Sequence, residues 1–271
     1  MDRRNRPLVV MVLLREPAMP DPEAIASCLE SRCGERYHVR WDGPVEGPAD
    51  DSRIFTVNGQ SVKMGLIPGP VPQAAWEAAC ARNAFWPEGT EVCRQHRAHL
   101  IVAFQGDWGD PIRRHLLLTD FVAALSEAAD ALAVLWGPLG VIQPAEYFRE
   151  HAAGASTDDL PLQLWVNFIL MRDADKQFVV TSGLDAFGVR EVEGSSSRMQ
   201  PFDLVGRVFD AAYYLCTHGP VMNDGDTFGC SDAEQIPVRH TNSVLDRPGP
   251  VIRLDFDGAR RGLLSRLLSR R

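Results

Sequence analysis

The chain has 271 residues and a formal net charge of −8 at neutral pH, with 45% hydrophobic and 24% charged residues. This composition is typical of a globular protein with one large domain or two smaller ones. No apolar run reaches the ~18 residues that would cross a bilayer. The net negative charge disfavours direct binding of nucleic acid and favours a partner with a basic surface.

The pattern of the first half predicts a mixture of strands and helices. Residues 1–6, which include three arginines, precede the apolar run 8–14. This run lacks a small-residue cleavage site and is therefore predicted as a strand and not a secretory signal. Asn58-Gly59 separates two strand-like runs and predicts a two-residue hairpin turn. Further strands are predicted over 37–41, 53–57, 60–67, 99–104 and 133–136, and helices over 20–33, 73–82, 87–95, 112–132 and 144–150.

The second half begins after a small-residue and polar segment, 151–159, which is the best candidate for a linker. A helix is predicted over 201–217 and a loop over 194–197. Strands are predicted over 162–171, 177–182, 187–192, 226–229, 236–240 and 251–256.

These elements predict an α+β fold with helices on one face of a mainly antiparallel sheet. Two α/β subdomains and one extended mixed sheet both remain open. The expected organisation is an N-terminal subdomain over 1–150, a C-terminal subdomain over 151–257 and a basic tail over 258–271. In this tail the leucines at 263, 264, 267 and 268 fall on one helical face and Arg266 and Arg270 on the other, which is typical of a segment that docks on a partner or a membrane surface, or packs on its own core.

The sequence shows no catalytic set and implies no cofactor. Its six cysteines, at 28, 33, 80, 93, 216 and 230, form no C-x-x-C pair and fit buried thiols in a reducing cytoplasm. His96 and His99 lie at a predicted helix-to-strand junction without a visible third ligand, so a metal site there is not favoured.

The segment Asp224-Gly225-Asp226-Thr227-Phe228-Gly229 is the densest polar motif. Its two carboxylates, at Asp224 and Asp226, suit either a divalent cation or a structural turn in which Gly225 takes positive φ and Gly229 ends the motif. The later acidic residues lack the spacing of a calcium loop. The turn is the preferred interpretation, and a metal- or small-ligand-binding enzyme is the alternative.

Aromatic residues in acidic turns are good anchors for a protein interface. Together with exposed-looking acidic residues, they suggest a surface that contacts a basic partner. The candidate contact residues are Asp107, Trp108, Asp110, Asp158, Asp159, Glu191, Glu193 and Asp232.

Three segments resemble a bacterial family of unknown function, number 4261: 181–193, the helix with Ala211-Ala-Tyr-Tyr-Leu215, and 224–229. The upstream pieces 10–17 and 96–102 are similar to its longer members. The family carries no catalytic residues to transfer, but the resemblance implies association with toxin and secretion genes. The expected function is a non-enzymatic, cytoplasmic immunity protein that neutralises a cognate effector toxin by direct binding, possibly a type VI secretion nuclease. An effector-loading adaptor or chaperone is a further alternative.

Overall fold

The computed structural model describes residues 8–44, 52–105, 109–137, 140–229, 234–258 and 260–261, and the chain divides into two compact units, 1–165 and 166–271. The fold is α+β, as predicted, and each unit has its own sheet. The division falls later than the predicted boundary after residue 150. Residues 151–159 stay within the first unit, where the Arg36 guanidinium donates to the Ala155 carbonyl at 3.2 Å.

The first unit contains an antiparallel sheet with the strand order β2-β3-β4-β5-β1-β6-β7. The strands are β1 (Leu8–Leu14), β2 (Val39–Pro44), β3 (Ser52–Val57), β4 (Gln60–Ile67), β5 (Ala98–Gln105), β6 (Ala131–Trp136) and β7 (Val141–Pro144). The predicted hairpin is present: Asn58 and Gly59 both have positive φ and join β3 to β4. Two consecutive positive-φ residues match the right-handed twist of the flanking strands.

Most helices of the first unit start at a capping aspartate or directly after a proline. They are α1 (Pro22–Cys33), α2 (Gln73–Arg82), α3 (Gly89–Cys93), α4 (Pro111–Ala128), α5 (Ala145–Ala152) and α6 (Leu162–Trp165). The Asp21 carboxylate accepts the Glu23 amide at the start of α1, and Asp110 caps α4 in the same way. A side-chain acceptor at this position satisfies amides that have no partner within the helix.

Helices cover both faces of this sheet. On one face, Trp76, Cys80 and Cys93 of α2 and α3 pack with Leu13 and Leu135. On the other face, the Phe121 ring of α4 meets Phe55 at 5.2 Å. This double coverage explains why β1 is apolar along its whole length.

The second unit contains a sheet with the strand order β11-β12-β13-β10-β9-β8, and β14 pairs with β12. The strands are β8 (Asn167–Asp173), β9 (Lys176–Ser182), β10 (Val192–Ser196), β11 (Thr227–Phe228), β12 (Glu234–Asn242), β13 (Pro250–Asp255) and β14 (Arg260–Arg261). Only β10 and β13 pair in parallel among the described strands. The helix α7 (Pro201–His218) packs on one face, where Phe209 contacts Phe168 at 5.4 Å.

Four predicted elements are wrong in type or extent. Residues 162–165 form the short helix α6, and the strand starts only at Asn167. The strand predicted over 187–192 is displaced, because residues 184–187 form a 3-10 turn and β10 begins only at Val192. The predicted loop 194–197 therefore lies largely in β10. Helix α4 ends at Ala128, because the chain is extended at Ala129 and enters β6. In β10, long-range strand pairing overrides the low strand propensity of Gly194 and its neighbouring serines.

Gly194 makes the close approach of α7 to β10 possible. A Cβ at this position would overlap a methyl group of Val208 and approach the Phe256 ring at 3.1 Å. We therefore expect Gly194→Ala to lower the free energy of unfolding by about 1–3 kcal/mol, as overpacking of a filled core does. Denaturant unfolding followed by far-UV circular dichroism measures this loss. The double variant Gly194→Ala/Val208→Ala is the control: a loss no smaller than the sum of the two single losses contradicts the steric explanation.

Candidate functional site

The structure places the predicted contact residues in different environments. Asp107, Trp108 and Asp232 lie outside the described residues. The Asp110 carboxylate accepts the Ile112 amide at 2.9 Å and serves as the cap of α4. Asp158 and Asp159 are exposed in a turn of the first unit.

Glu193, one of the candidate contact residues, is buried within the second unit. Its carboxylate is 1% exposed on the β10 face opposite α7. It accepts hydrogen bonds from Ser243 Oγ at 2.6 Å and Val244 N at 3.1 Å, and pairs with Arg253 at 2.6 Å. These bonds anchor the loop between β12 and β13.

The Glu191 carboxylate also forms its hydrogen bonds within the second unit. Its carboxylate accepts the Thr181 hydroxyl at 2.7 Å and the Gly183 amide at 2.8 Å. Burial raises the pKa of this carboxyl above its ordinary value, and the Thr181 bond partly opposes the rise. The acidic pair 191 and 193 therefore stabilises the fold of the second unit.

The segment 224–229 is a turn whose carboxylates hold the backbone. Asp226 accepts the Asn223 amide at 2.7 Å, and Asp224 accepts the His240 amide at 2.8 Å. Gly225 has a φ of 93°. Within the described part of the chain, no group of three or more histidine, cysteine, aspartate and glutamate side chains is arranged to hold a metal ion.

His96 and His99 likewise bind backbone groups. His96 Nε2 accepts the Val71 amide at 2.9 Å, so its Nδ1 donates to the Cys93 carbonyl. His99 Nδ1 bonds to the Gly69 carbonyl at 2.8 Å. Both rings therefore bind backbone groups of the segment that precedes α2.

A buried polar cluster joins α1 to α4. The Asp120 carboxylate is 2% exposed, accepts the Tyr37 hydroxyl at 2.8 Å and pairs with Arg36 at 3.2 Å. Burial raises the pKa of Asp120, and burial also raises the pKa of the neighbouring Cys33 thiol to about 12. A thiol with so high a pKa is a poor nucleophile, so this cluster is a structural contact.

An open groove of about 540 Å³ lies in the first unit between α3, β6 and α5. It was not predicted from the sequence. The charged and phenolic side chains that line it belong to Glu88, Glu146, Tyr147, Arg149 and Glu150. Its apolar lining comes from Trp86, Val92, Ala131, Leu132, Pro144 and Ala145.

Local structure explains how these side chains reach the groove. Glu146 and Glu150 are four residues apart on α5 and lie on the same helical face, while Phe148 is buried on another. Trp86 packs against Gly89, where an added Cβ would approach the indole ring at 2.8 Å. The absence of a side chain at Gly89 therefore leaves room for the indole ring in the wall of the groove.

The groove is acidic because its lining contains three glutamates and one arginine. Among the described residues, Glu88, Glu146 and Glu150 form no ion pair. The Arg149 guanidinium donates instead to the Ser126 carbonyl at 3.2 Å. An apolar wall beside free carboxylates suits a lysine or arginine side chain, which buries its aliphatic stem and pairs its cationic head.

Comparison with known families agrees with the resemblance noted from the sequence. The model of a family described as a domain of unknown function (DUF4261) matches residues 180–255. The matched segment lies in the second unit and covers β10, α7 and most of the sheet around them. No curated protein and no solved structure matches the chain.

Helices long and apolar enough to cross a membrane are absent from the described residues.

Proposed function

We propose that this chain is a non-enzymatic, cytoplasmic binding protein that neutralises a bacterial effector toxin by direct contact. The observation that carries the proposal is the acidic groove of the first unit. Its apolar wall and its three glutamates, which form no ion pair among the residues that the structure describes, fit a basic segment of the toxin better than a small anionic substrate.

The charge of the whole chain supports the same partner. The net charge is −8 even though five arginines are concentrated in residues 258–271. An acidic protein and a basic partner attract each other over about 10 Å at 0.1 M salt, which raises the association rate. A nuclease of the type VI secretion system would supply such a basic surface, because its substrate is polyanionic.

The metal-dependent alternative has no support in the described turn. The Asp224 and Asp226 carboxylates accept backbone amides there, which is the chemistry of a turn. The adaptor alternative would use the same groove. An adaptor would be needed for export of the effector, whereas an immunity protein would be needed for survival of its attack.

The test starts from a pull-down with the tagged chain, after which the toxin candidate is purified and its dissociation constant measured. We expect the double variant Glu146→Lys/Glu150→Lys to weaken binding at least 100-fold, because each reversal replaces an attraction with a repulsion. Both residues are exposed without an ion pair in the described structure, so the thermal stability of the variant should remain within about 0.5 kcal/mol of the parent.

The double variant Asp173→Lys/Asp175→Lys is the matched control, since it makes the same charge change at exposed positions that do not line the groove and are not candidate contact residues. It should weaken binding less than about 5-fold, a loss that reflects long-range attraction alone. Equal losses in the two variants would remove the groove from the proposal. A partner that is harmless when expressed without this chain would favour the adaptor function.

A further inference from the structure

Two buried thiols meet where α2 packs against α3. Cys80 lies in the last turn of α2 and is 6% exposed, and Cys93 is the last residue of α3 and is fully buried. Both cysteines are free, and both belong to the core cluster that includes Trp76 and Trp86. The Cys93 thiol donates a hydrogen bond to the sulfur of Cys80, so the two side chains face each other.

This contact gives the two sulfurs opposite acidities. The hydrogen bond from Cys93 lowers the pKa of Cys80; burial opposes this effect, and a hydrogen bond with Thr90 adds to it. The same bond, together with burial, raises the pKa of Cys93. Because the thiolate is the nucleophile, the pair has one attacking sulfur, on Cys80, and one resolving sulfur, on Cys93.

The other described cysteines differ from this pair. Cys28 and Cys33 are five residues apart on α1, which separates them by about 140° around the helix axis. Burial raises the pKa of the Cys28 thiol, and it raises the pKa values of Cys33 and Cys216 to about 12. Among the five cysteines that the structure describes, Cys80 is therefore the one whose pKa is lowered.

Local structure leaves room for a bond between the two sulfurs. Helix α3 has five residues, and the connection from α2 is held by turn hydrogen bonds from Trp86 N to the Asn83 carbonyl and from Gly89 N to the Trp86 carbonyl. Short segments of this kind open locally more easily than long helices, which admits a small oxidant. Thiols in hydrogen-bond contact then need only a small displacement to reach a disulfide bond length of about 2.05 Å.

We propose that Cys80 and Cys93 form a redox-active dithiol that a hydroperoxide oxidises to a disulfide between α2 and α3. The Cys80 sulfur attacks the peroxide, the O–O bond breaks, and Cys80 becomes a sulfenic acid while water leaves. The Cys93 sulfur then attacks the Cys80 sulfur, the S–O bond breaks, and the Cys93 proton leaves with the hydroxide as a second water. The two sulfurs supply the two electrons that reduce the peroxide.

The disulfide would link the ends of the segment 80–93, which contains Trp86 and Glu88 of the groove. In a reducing compartment such a bond is transient, because cellular thiols reverse it. The chemistry belongs to the chain itself and does not depend on the binding of a toxin.

Peroxide treatment of the folded, fully reduced chain tests this dithiol. Free thiols are alkylated after the reaction, and the linked peptides are identified by mass spectrometry. We expect a mass loss of about 2 Da per chain that dithiothreitol reverses. The Cys80–Cys93 peptide pair should exceed every other linked pair at least about 10-fold, although Cys28 and Cys33 are more exposed.

Serine variants assign the two roles. Cys93→Ser keeps a hydroxyl donor beside Cys80 and should accumulate a Cys80 sulfenic acid that dimedone traps. Cys80→Ser should give neither the disulfide nor a trapped sulfenic acid at Cys93. Cys28→Ser/Cys33→Ser is the matched control and should leave the Cys80–Cys93 yield within about 2-fold of the parent. Trapping at Cys93 in place of Cys80 would overturn the assignment of the attacking sulfur.

The stability of the oxidised chain shows whether the native fold holds the bond. Its urea midpoint, followed by tryptophan fluorescence, should lie roughly 1 M above that of the same sample after reduction. A lower midpoint than that of the reduced chain would overturn the proposal. Disulfide formation only in denaturant, or sulfinic acid at Cys80 without a disulfide, would also overturn it. Linked chains of doubled mass would overturn it in favour of a bond between two copies.

Discussion

Acidification from pH 7 to pH 3 is expected to lower the free energy of unfolding of the first unit by about 4–5 kcal/mol through His115 alone. His115 is 2% exposed in α4, and its ring lies 5.3 Å from the Trp165 ring and 5.9 Å from the Trp136 ring. Burial lowers the pKa of this histidine from 6.5 to about 3, although Nδ1 bonds to the Pro111 carbonyl at 2.6 Å.

The direction of this pH effect depends on the pKa of His115 in the unfolded and in the folded chain. Below pH 6.5 the histidine of the unfolded chain binds a proton, whereas the folded His115 stays neutral until about pH 3. Unfolding is therefore favoured by up to 1.36 kcal/mol for each pH unit in this interval. The stabilising contribution is fully present above pH 6.5 and is lost as the pH falls toward 3.

Urea unfolding at several pH values, followed by tryptophan fluorescence, measures this contribution. All six tryptophans lie within residues 1–165, so the signal comes from the first unit. In His115→Phe the loss of stability between pH 7 and pH 3 should be smaller than in the parent by about 4 kcal/mol. His38 is exposed, and His38→Gln should leave the pH dependence unchanged. A His115→Phe profile parallel to that of the parent would contradict the prediction.

Removal of the Glu193 carboxylate is expected to cost about 3 kcal/mol or more in the free energy of unfolding. Glu193→Ala leaves Arg253 without its ion pair and leaves Ser243 Oγ and the Val244 amide without their acceptor. Breaking a buried ion pair by removing one partner typically costs about 3–5 kcal/mol. Arg253 remains 31% exposed, which places the loss near the lower end.

Denaturant unfolding followed by far-UV circular dichroism checks this cost, and hydrogen exchange locates it. Exchange should accelerate in residues 243–249, because Glu193 anchors this loop. Asp255→Ala is the matched control: it breaks the pair with Lys176 in the same sheet, but those side chains are 49% and 36% exposed. This loss should stay below about 1 kcal/mol. A Glu193→Ala loss no greater than the control would refute the prediction.

The sequence alone determined the local secondary structure of this protein at several points. The hairpin at Asn58-Gly59 and the helix predicted over 20–33 each depend on neighbouring residues, and the structure has the hairpin and a helix over Pro22–Cys33. The sequence alone also predicted β1 from its apolar run and the resemblance to DUF4261, whose family model matches residues 180–255. Backbone dihedral preferences and hydrophobic period act over a few residues, which is why these predictions succeed.

Tertiary packing decided the rest. β10 was mistaken for a loop because Gly194 and its serines have low strand propensity, and only the contact with α7 explains a glycine there. From the sequence, Glu193 was predicted to be a surface acid. The pairing of β10 with β13 instead places it beside Arg253. The groove combines Trp86 and Glu88 with Glu146 and Glu150, which are far apart in sequence. Burial and pairing depend on contacts between distant segments, and no local pattern records which distant segments will meet.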